Sequence, residues 1–176
     1  FYKDQNKYAF SFQMMAYISR LELLNKTIKE NPNKIIICER SIWTDKRVFA
    51  QMLADDNKIG EIDFIIYNKW FDNLSKNIKL DGIIYLKTSP ETCKHRVGIR
   101  DRKGEDISLD YLTRCDEYHN KWLEDVRPIH ILDGNIVYDT ISHKRLEKIS
   151  NFITDVYNAK YLTDTNLSNI FDKMYC

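Results

Sequence analysis

The amino-acid sequence predicts an α/β protein with a parallel sheet flanked by helices on both faces. Three short apolar runs rich in isoleucine, at residues 34–38, 83–86 and 129–132, are predicted to be strands. Unbroken β-branched runs are typical of parallel strands that are covered on both faces, and helical stretches separate the three runs. The 176 residues are enough for one domain with its own core.

The helices follow from apolar spacing and from capping residues. The first is predicted over residues 6–29, where apolar side chains recur every three to four positions, and Asn31-Pro32-Asn33 ends it. Thr44 is a candidate N-cap for the next helix, because its hydroxyl can accept a hydrogen bond from the first turn. Further helices are predicted at 61–78, 91–100, 109–125 and 143–157, with a mobile polar loop at 101–107, a domain over 1–160 and a polar tail over 161–176.

Charge and cysteine content exclude several classes of function. The 27 basic and 26 acidic side chains leave no net field to hold a nucleic-acid polymer or an anionic membrane. The apolar runs are far shorter than the roughly 20 residues that span a bilayer. The four cysteines form no CxxC pair, which favours a reducing, cytoplasmic compartment. Because Phe1 is not a start methionine, we expect the chain to be cut upstream.

A charged tripeptide, Glu39-Arg40-Ser41, follows the first predicted strand. Ligands of parallel sheets bind at the carboxyl ends of the strands. A carboxylate there can hold Mg²⁺, and a planar guanidinium can hold an oxyanion through two parallel hydrogen bonds. A salt bridge at a strand end explains the tripeptide equally well.

Three arginines, Arg96, Arg100 and Arg102, lie at the C-terminal end of a predicted helix. Arg96 and Arg100 share a helix face, so one phosphoryl group could meet several positive charges, as phosphoryl transfer requires. The alternative is a solvated basic helix end, which the helix dipole favours.

On the first helix, Gln13, Ala16 and Arg20 share a face beside Tyr8 and Phe12. A side-chain amide next to an aromatic ring can read the edge of a nucleobase, because it both donates and accepts hydrogen bonds. Aromatic residues at helical spacing are more often core, so this pattern leaves both interpretations open. The histidines have no zinc-type spacing, which argues against a metal centre of that class.

Taken in order, these segments resemble the deoxynucleoside kinase family, of the deoxycytidine, deoxyguanosine and deoxyadenosine kinase type. The resemblance lies in Phe1-Tyr-Lys-Asp with Phe12-Gln13, in Glu39-Arg-Ser with Asp45 and Val48-Phe49-Ala50, in Leu80 through Cys93, in the arginine run, and in Leu109-Asp-Tyr-Leu112 through Trp122-Leu123. It is strong over residues 1–125 and weak thereafter. It implies a P-loop kinase-like fold and transfer of the γ-phosphoryl group of ATP to the 5′-hydroxyl of a deoxynucleoside.

For the base, the resemblance implies that Gln13 pairs with its edge and that Phe12 and Phe49 form aromatic walls around it. Three further positions, Ala16, Arg20 and Asp45, carry the combination seen in deoxycytidine and deoxypurine kinases. Thymidine is therefore expected to be a poor substrate, because its methyl group would leave the polar pair of Arg20 and Asp45 without a hydrogen-bonding partner on the base.

For the sugar, the resemblance implies that Tyr2 and Glu105 hold the 3′-hydroxyl and that Arg40 contacts the 5′-hydroxyl region. The loop after Arg102 is one residue shorter than is usual in the family, so Asp106 is an alternative to Glu105.

For the phosphate donor, the resemblance implies ATP with Mg²⁺, and a homodimeric enzyme. Arg96, Arg100 and Arg102 would stack on the donor adenine and clamp its phosphates, Asp133 would lie near that adenine, and Glu39 would lie beside the metal ion. The arginines expected to act on the reacting groups are Arg40, Arg100 and Arg102.

One departure from the family pattern is the phosphate loop. No G-x-x-x-x-G-K-[ST] occurs in the 176 residues, and the five glycines are isolated. The family places that loop, the first strand and the general base upstream of this region, so this polypeptide alone is expected to be inactive. Two alternatives remain: a non-catalytic nucleoside-binding fragment, and a nucleoside-monophosphate kinase of the thymidylate type.

Overall fold

The computed structural model describes residues 4–102, 105, 107–136 and 143–174, with side chains up to residue 160. Its elements are, in order, α1 (Gln5–Glu30), α2 (Ile42–Thr44), a π-helical turn (Asp45–Ala50), α3 (Gln51–Asp55), α4 (Glu61–Leu74), β1 (Ile83–Lys87), α5 (Pro90–Arg100), α6 (Leu109–Leu123), β2 (Ile129–Asp133) and α7 (His143–Met174). The chain divides into a helical unit, Phe1–Lys79 with Ser89–Asp125, and a sheet unit, Leu80–Thr88 with Val126–Cys176.

In the sheet unit, β1 and β2 pair in parallel, which confirms the predicted α/β class with a parallel sheet. Helix α7 flanks the two strands. Its Phe152 ring stacks on His130 of β2 with the ring centroids 5.5 Å apart. A Cβ atom added to Gly82 would lie 3.2 Å from the same phenylalanine, so the glycine lets the chain that enters β1 approach α7 closely.

In the helical unit, α1 packs against α4 through buried aromatic rings. Tyr17 and Tyr67 are fully buried, with ring centroids 5.9 Å apart, and Tyr17 also lies 4.9 Å from Phe71. The Tyr17 hydroxyl donates a hydrogen bond of 3.2 Å to the Phe71 carbonyl. This contact fixes the face of α1 that carries Gln13 and Arg20, because those residues lie four before and three after Tyr17.

Helix α6 is attached to the end of α3 by charged and polar contacts. Arg114 Nη1 lies 2.6 Å from Asp56 Oδ1, and the Tyr118 hydroxyl donates to the Asp55 carboxylate. Arg114 and Tyr118 are four residues apart and share one helix face. That face of α6 is therefore held against the helices that follow Arg40.

The prediction of a strand at residues 34–38 is wrong. The segment is irregular, and Ile35 and Ile37 are 56% and 69% exposed. An apolar run becomes a buried strand only where neighbouring strands pair its backbone and helices cover its faces. Among the described residues, only β1 and β2 form a sheet, and this segment is not part of it.

The predicted cap at Thr44 is also misplaced. Ser41 caps α2, because its hydroxyl accepts a hydrogen bond of 3.2 Å from the Thr44 backbone N–H. The other predicted helices are present, but α7 continues to Met174 instead of ending at 157. The separate tail over 161–176 stays a prediction. Part of the predicted loop at 101–107, namely residues 103, 104 and 106, lies outside the described residues.

Candidate active site

An ion pair between α1 and the π-helical turn forms the centre of the candidate site. Arg20 Nη1 lies 3.1 Å from Asp45 Oδ2, and the aspartate side chain is only 4% exposed. Burial raises the pKa of the Asp45 carboxyl, while the positive charges of Arg20 and Arg40 lower it in part. Both arginines therefore lie close enough to the buried carboxyl to act on it electrostatically.

The π-helical turn supplies both Asp45 and Phe49 to this region. Such turns are rare and are frequent at functional sites, because they shift side chains away from the regular helical register. Ile42 and Ala50, before and within the turn, are buried in the core cluster with Tyr17, which anchors the segment from both ends.

Arg40 approaches the same region from the loop before α2. Its backbone has φ 61°, in the left-handed region that a side chain rarely adopts. Its guanidinium carbon lies 4.6 Å from the centroid of the Phe49 ring. Phe49 in turn packs against His119 of α6, with ring centroids 6.2 Å apart and an interplanar angle of 83°.

The α1 face predicted to read a nucleobase is brought to this region. Gln13 is 5% exposed, and its amide makes no hydrogen bond with any residue whose side chain the structure describes. Ala16 is half-buried on the same face, whereas Phe12 is 45% exposed. A buried amide without a protein partner has donors and an acceptor left for a ligand, since buried polar groups are normally hydrogen-bonded.

The arginine cluster lies at the C-terminal end of α5, as the sequence predicts. Arg96 is half-buried, and Arg100 and Arg102 are exposed. Arg100 Nη2 lies 2.7 Å from Glu105 Oε2. The resemblance gives these two residues different partners, a phosphate and a sugar hydroxyl, whereas in the structure they pair with each other. Asp101, with φ 44°, ends the helix between Arg100 and Arg102.

Asp133 lies in the sheet unit, where its carboxylate accepts hydrogen bonds from the Asn135 backbone N–H at 2.9 Å and from the Asn135 amide at 3.0 Å. The assignment of Asp133 to a donor adenine stays a prediction. Tyr2 and Asp106 lie outside the described residues. In the described residues, no three histidine, cysteine, aspartate or glutamate side chains come together as a metal site, and Glu39 is an exposed single carboxylate.

Two residues of this region were missed by sequence reasoning. His119 reaches Phe49 across 70 positions of sequence, and no spacing rule relates the two. Tyr67 is fully buried, with a hydroxyl that has no hydrogen-bond partner among the described residues, and the charges of Asp45 and Arg20 act on it. Only the tertiary packing of α4 and α6 reveals either residue.

Comparison with known proteins identifies the family to which the chain is similar. The family model named deoxynucleoside kinase matches residues 1–161. A probable deoxycytidine kinase of fowlpox virus is 34% identical over 169 residues, which cover 89% of this chain and 71% of that protein. Human deoxycytidine kinase is 31% identical over 174 residues, which cover 87% of this chain and 66% of that protein. Mitochondrial deoxyguanosine kinase of Xenopus laevis is 30% identical over 131 residues.

The chain thus spans 66 to 71% of the length of the viral and human relatives. Within the described residues, every helix is too short or too polar to cross a lipid bilayer. The family match runs through α1, the π-helical turn and the arginine cluster of α5, which are the elements that carry the candidate site. The chain belongs to the deoxynucleoside kinase family.

Proposed function

We propose that this chain forms the nucleoside pocket and phosphate-clamping segment of a cytoplasmic kinase that transfers the γ-phosphoryl group of ATP to the 5′-hydroxyl of a deoxynucleoside. The preferred substrate is deoxycytidine or a deoxypurine. The observation that carries the proposal is the pairing of Arg20 with the buried Asp45, on the same side of α1 as the buried amide of Gln13.

The ion pair supports an amino-bearing base over thymine. A carboxylate such as that of Asp45 only accepts hydrogen bonds, so it suits an exocyclic amino group, while the Arg20 guanidinium only donates and suits a ring nitrogen or carbonyl oxygen. Thymine presents a carbonyl and a methyl group at the corresponding edge. The buried carboxylate would then lack a hydrogen-bonding partner on the base, which costs about 1 to 3 kcal/mol, or roughly fivefold to 150-fold in affinity.

The other site residues would bind the sugar, form the walls of the base pocket or contact the transferred phosphoryl group. Phe12 and Phe49 would pack on the base, Tyr2 and Glu105 would hold the 3′-hydroxyl, and Arg40 would bind the 5′-oxygen. The donor phosphates would be met by three arginines, Arg96, Arg100 and Arg102. Catalysis of this kind is positional and electrostatic, because the protein does little covalent chemistry in phosphoryl transfer.

Glu39 is proposed as the carboxylate beside Mg²⁺. This ion usually binds through one or two carboxylates together with the phosphate oxygens of a substrate, so a single exposed carboxylate fits its coordination. Bound there, Mg²⁺ would neutralise phosphate charge.

Calorimetric titration of the 176-residue chain with deoxycytidine, deoxyadenosine, deoxyguanosine and thymidine tests the proposal. We expect one of the first three to bind at least about fivefold more tightly than thymidine. Since the sequence contains no G-x-x-x-x-G-K-[ST], we expect no phosphorylated product from labelled ATP in the same samples. Absence of nucleoside binding, preference for thymidine, or tighter binding of deoxycytidine monophosphate than of every nucleoside would contradict it.

We also propose that the protein is a homodimer formed through α1 and α4. Large apolar side chains on these helices are exposed: Ile18 43%, Ile62 74%, Ile65 58% and Trp70 50%. Exposed apolar groups of this size on two helices that pack together are typical of an interface. Sedimentation equilibrium should give twice the monomer mass, and Ile65→Lys should shift it towards the monomer. A monomeric unsubstituted chain would contradict the assignment.

A further inference from the structure

Within the described part of the chain, Arg40 contacts an aromatic ring and forms no ion pair. Among the described residues, Arg40 forms no salt bridge, and its guanidinium lies 4.6 Å from the Phe49 ring centroid. Its strained backbone, with φ 61°, fixes the direction from which the side chain leaves the loop. An exposed side chain of this length keeps one position only if the surface beneath it is itself fixed.

The ring beneath Arg40 is fixed by His119. The two rings meet at 83° with centroids 6.2 Å apart, an edge-to-face arrangement that aromatic pairs prefer. Phe49 thus packs against the guanidinium and also against the imidazole. Movement of the imidazole would free the phenyl ring and, with it, the guanidinium.

The imidazole is in turn held in one orientation. His119 Nδ1 lies 2.7 Å from the Cys115 carbonyl oxygen one turn earlier in α6. A carbonyl has no proton to give, so Nδ1 carries the hydrogen and donates. Helix α6 is itself tied to the end of α3 by the Arg114–Asp56 ion pair and by the Tyr118 hydroxyl.

A neutral His119 imidazole is also compatible with the nearby Arg40 guanidinium. Burial lowers the pKa of His119, and the charge of Arg40 lowers it further, against opposing effects of the Cys115 carbonyl and of Asp116. A neutral ring can lie near the guanidinium without repelling it, whereas a protonated ring would place two cations on either side of Phe49.

We infer that His119 is a positioning residue for phosphoryl transfer, which acts through Phe49 to hold the guanidinium of Arg40 where the 5′-oxygen of the nucleoside binds. The inference rests on the proposed function, which assigns Arg40 to that oxygen. His119 touches neither substrate nor phosphate in this mechanism. Its effect should therefore appear only where Arg40 acts.

A first experiment needs no ligand. The protons of the Arg40 side chain, observed by NMR, should be shifted upfield by the ring current of Phe49. His119→Asn keeps a donor to the carbonyl one turn back, as Asn68 donates to Phe64 at 2.9 Å in α4, but it removes the ring. We expect the upfield shift to be lost in His119→Asn and largely kept in His119→Phe, with the exposed His143→Asn as the control. An unchanged shift in His119→Asn would overturn the inference.

A second experiment uses deoxycytidine and its 5′-deoxy analogue, 2′,5′-dideoxycytidine, as probes. His119→Asn should weaken binding of deoxycytidine by about threefold to tenfold and leave binding of the analogue unchanged, because only the former offers an oxygen to Arg40. His119→Phe should recover part of the loss, and Arg40→Leu should abolish any further effect of His119→Asn. Equal weakening for both probes would mean a general structural role and would refute the inference.

The two experiments separate the inference from the proposed function. If the unsubstituted chain binds neither probe, the proposed function fails, while the ring-current measurement still decides whether His119 holds Arg40. If the chain binds deoxycytidine and distinguishes it from the analogue equally well with and without His119, only the positioning role fails. Circular dichroism checks that each variant is folded, and His119→Phe remains as the milder substitution if His119→Asn is not.

Discussion

Arg20 and Asp45 form an ion pair across 3.1 Å in which the arginine side chain is 30% exposed and the aspartate only 4% exposed. The two partners therefore depend on each other unequally. Water can still solvate the arginine if the carboxylate is removed, but the carboxylate has lost nearly all of its water. The raised pKa of Asp45, caused first by burial, has the same origin.

The first prediction concerns Asp45→Asn. The amide keeps an acceptor for Arg20 and removes a buried charge, so we expect the free energy of unfolding in urea to be unchanged or about 1 kcal/mol higher. Binding of deoxycytidine should weaken at least about tenfold, because a charged acceptor for the amino group is lost. Arg20→Leu removes the other partner and serves as the comparison. It leaves the buried carboxylate without its ion-pair partner, so the free energy of unfolding should fall by about 3 kcal/mol. Equal destabilisation by both substitutions would contradict the argument.

The second prediction concerns pH and His119. Burial lowers the pKa of the folded imidazole below its ordinary value of 6.5. As the pH falls through that value, the unfolded chain takes up the proton first, so the stability that His119 contributes is complete at higher pH and is lost below it. The charged groups acting on this ring are Arg40 and Asp116. Urea unfolding from pH 7.5 to 5 should show a steeper loss of stability for the unsubstituted chain than for His119→Phe, and parallel curves would contradict this.

The sequence placed Gln13 and Arg20 on one face of α1, because helical periodicity alone brings these two positions to the same side. It also located β1 and β2, whose apolar runs become strands by pairing with each other. It failed at residues 34–38, where the same kind of run has no neighbouring strand in the described residues. Periodicity indicates which side chains prefer burial. Whether they are buried depends on other segments of the chain, which must supply the neighbouring strand or helix.

Contacts between distant segments were beyond sequence reasoning. The π-helical turn at Asp45 depends on local bonding that residue spacing does not encode, and the Phe49–His119 contact joins two helices. Arg100 and Glu105 lie close together along the chain, but the conformation of the loop between them decides whether their side chains pair.

The third prediction concerns Gly134, directly after β2. A Cβ atom there would clash with Thr88 Oγ1 and would lie 3.0 Å from the Lys87 carbonyl oxygen, which accepts the Gly134 N–H at 2.6 Å. A hydroxyl can rotate away, but the strand backbone cannot, so Gly134→Ala should cost about 3 kcal/mol in urea unfolding. Gly98→Ala in α5 is the control: among the described residues no atom of a neighbouring segment lies within 4 Å of its added Cβ, and we expect a gain of about 0.5 to 1 kcal/mol. A Gly134→Ala protein as stable as the unsubstituted chain would contradict the close approach of Gly134 to the Lys87 backbone.

The fourth prediction uses thiol chemistry to test the irregular segment before Glu39. Cys38 is exposed, whereas burial raises the pKa of the Cys115 thiol to about 11 and also raises that of Cys93. The thiolate is the reactive form, so the two half-buried thiols should react slowly. In a Cys176→Ser background, Ellman's reagent at pH 8 should label one thiol rapidly, and Cys38→Ser should abolish that phase. Slow labelling of Cys38 would mean that residues 34–38 are covered after all.

The fifth prediction compares two buried tyrosines of the α1–α4 core. Tyr17 and Tyr67 lie with ring centroids 5.9 Å apart, and the Tyr17 hydroxyl donates to the Phe71 carbonyl at 3.2 Å. The Tyr67 hydroxyl has no hydrogen-bond partner in the part of the chain that the structure describes, and burial raises its pKa.

Removing an unsatisfied hydroxyl relieves its desolvation cost, while removing a bonded one loses the hydrogen bond that it donates. The Phe71 carbonyl would keep the Ser75 backbone N–H and hydroxyl as donors, so the loss in Tyr17→Phe is limited to that one bond. Tyr67→Phe should therefore leave the free energy of unfolding unchanged or raise it by about 1 kcal/mol, and Tyr17→Phe should lower it by about 1 kcal/mol. Thermal unfolding of the two variants, measured side by side, decides between them. A loss of stability in Tyr67→Phe equal to that in Tyr17→Phe would show that the Tyr67 hydroxyl is bonded, for which a bridging water between it and Asp45 is the nearest explanation.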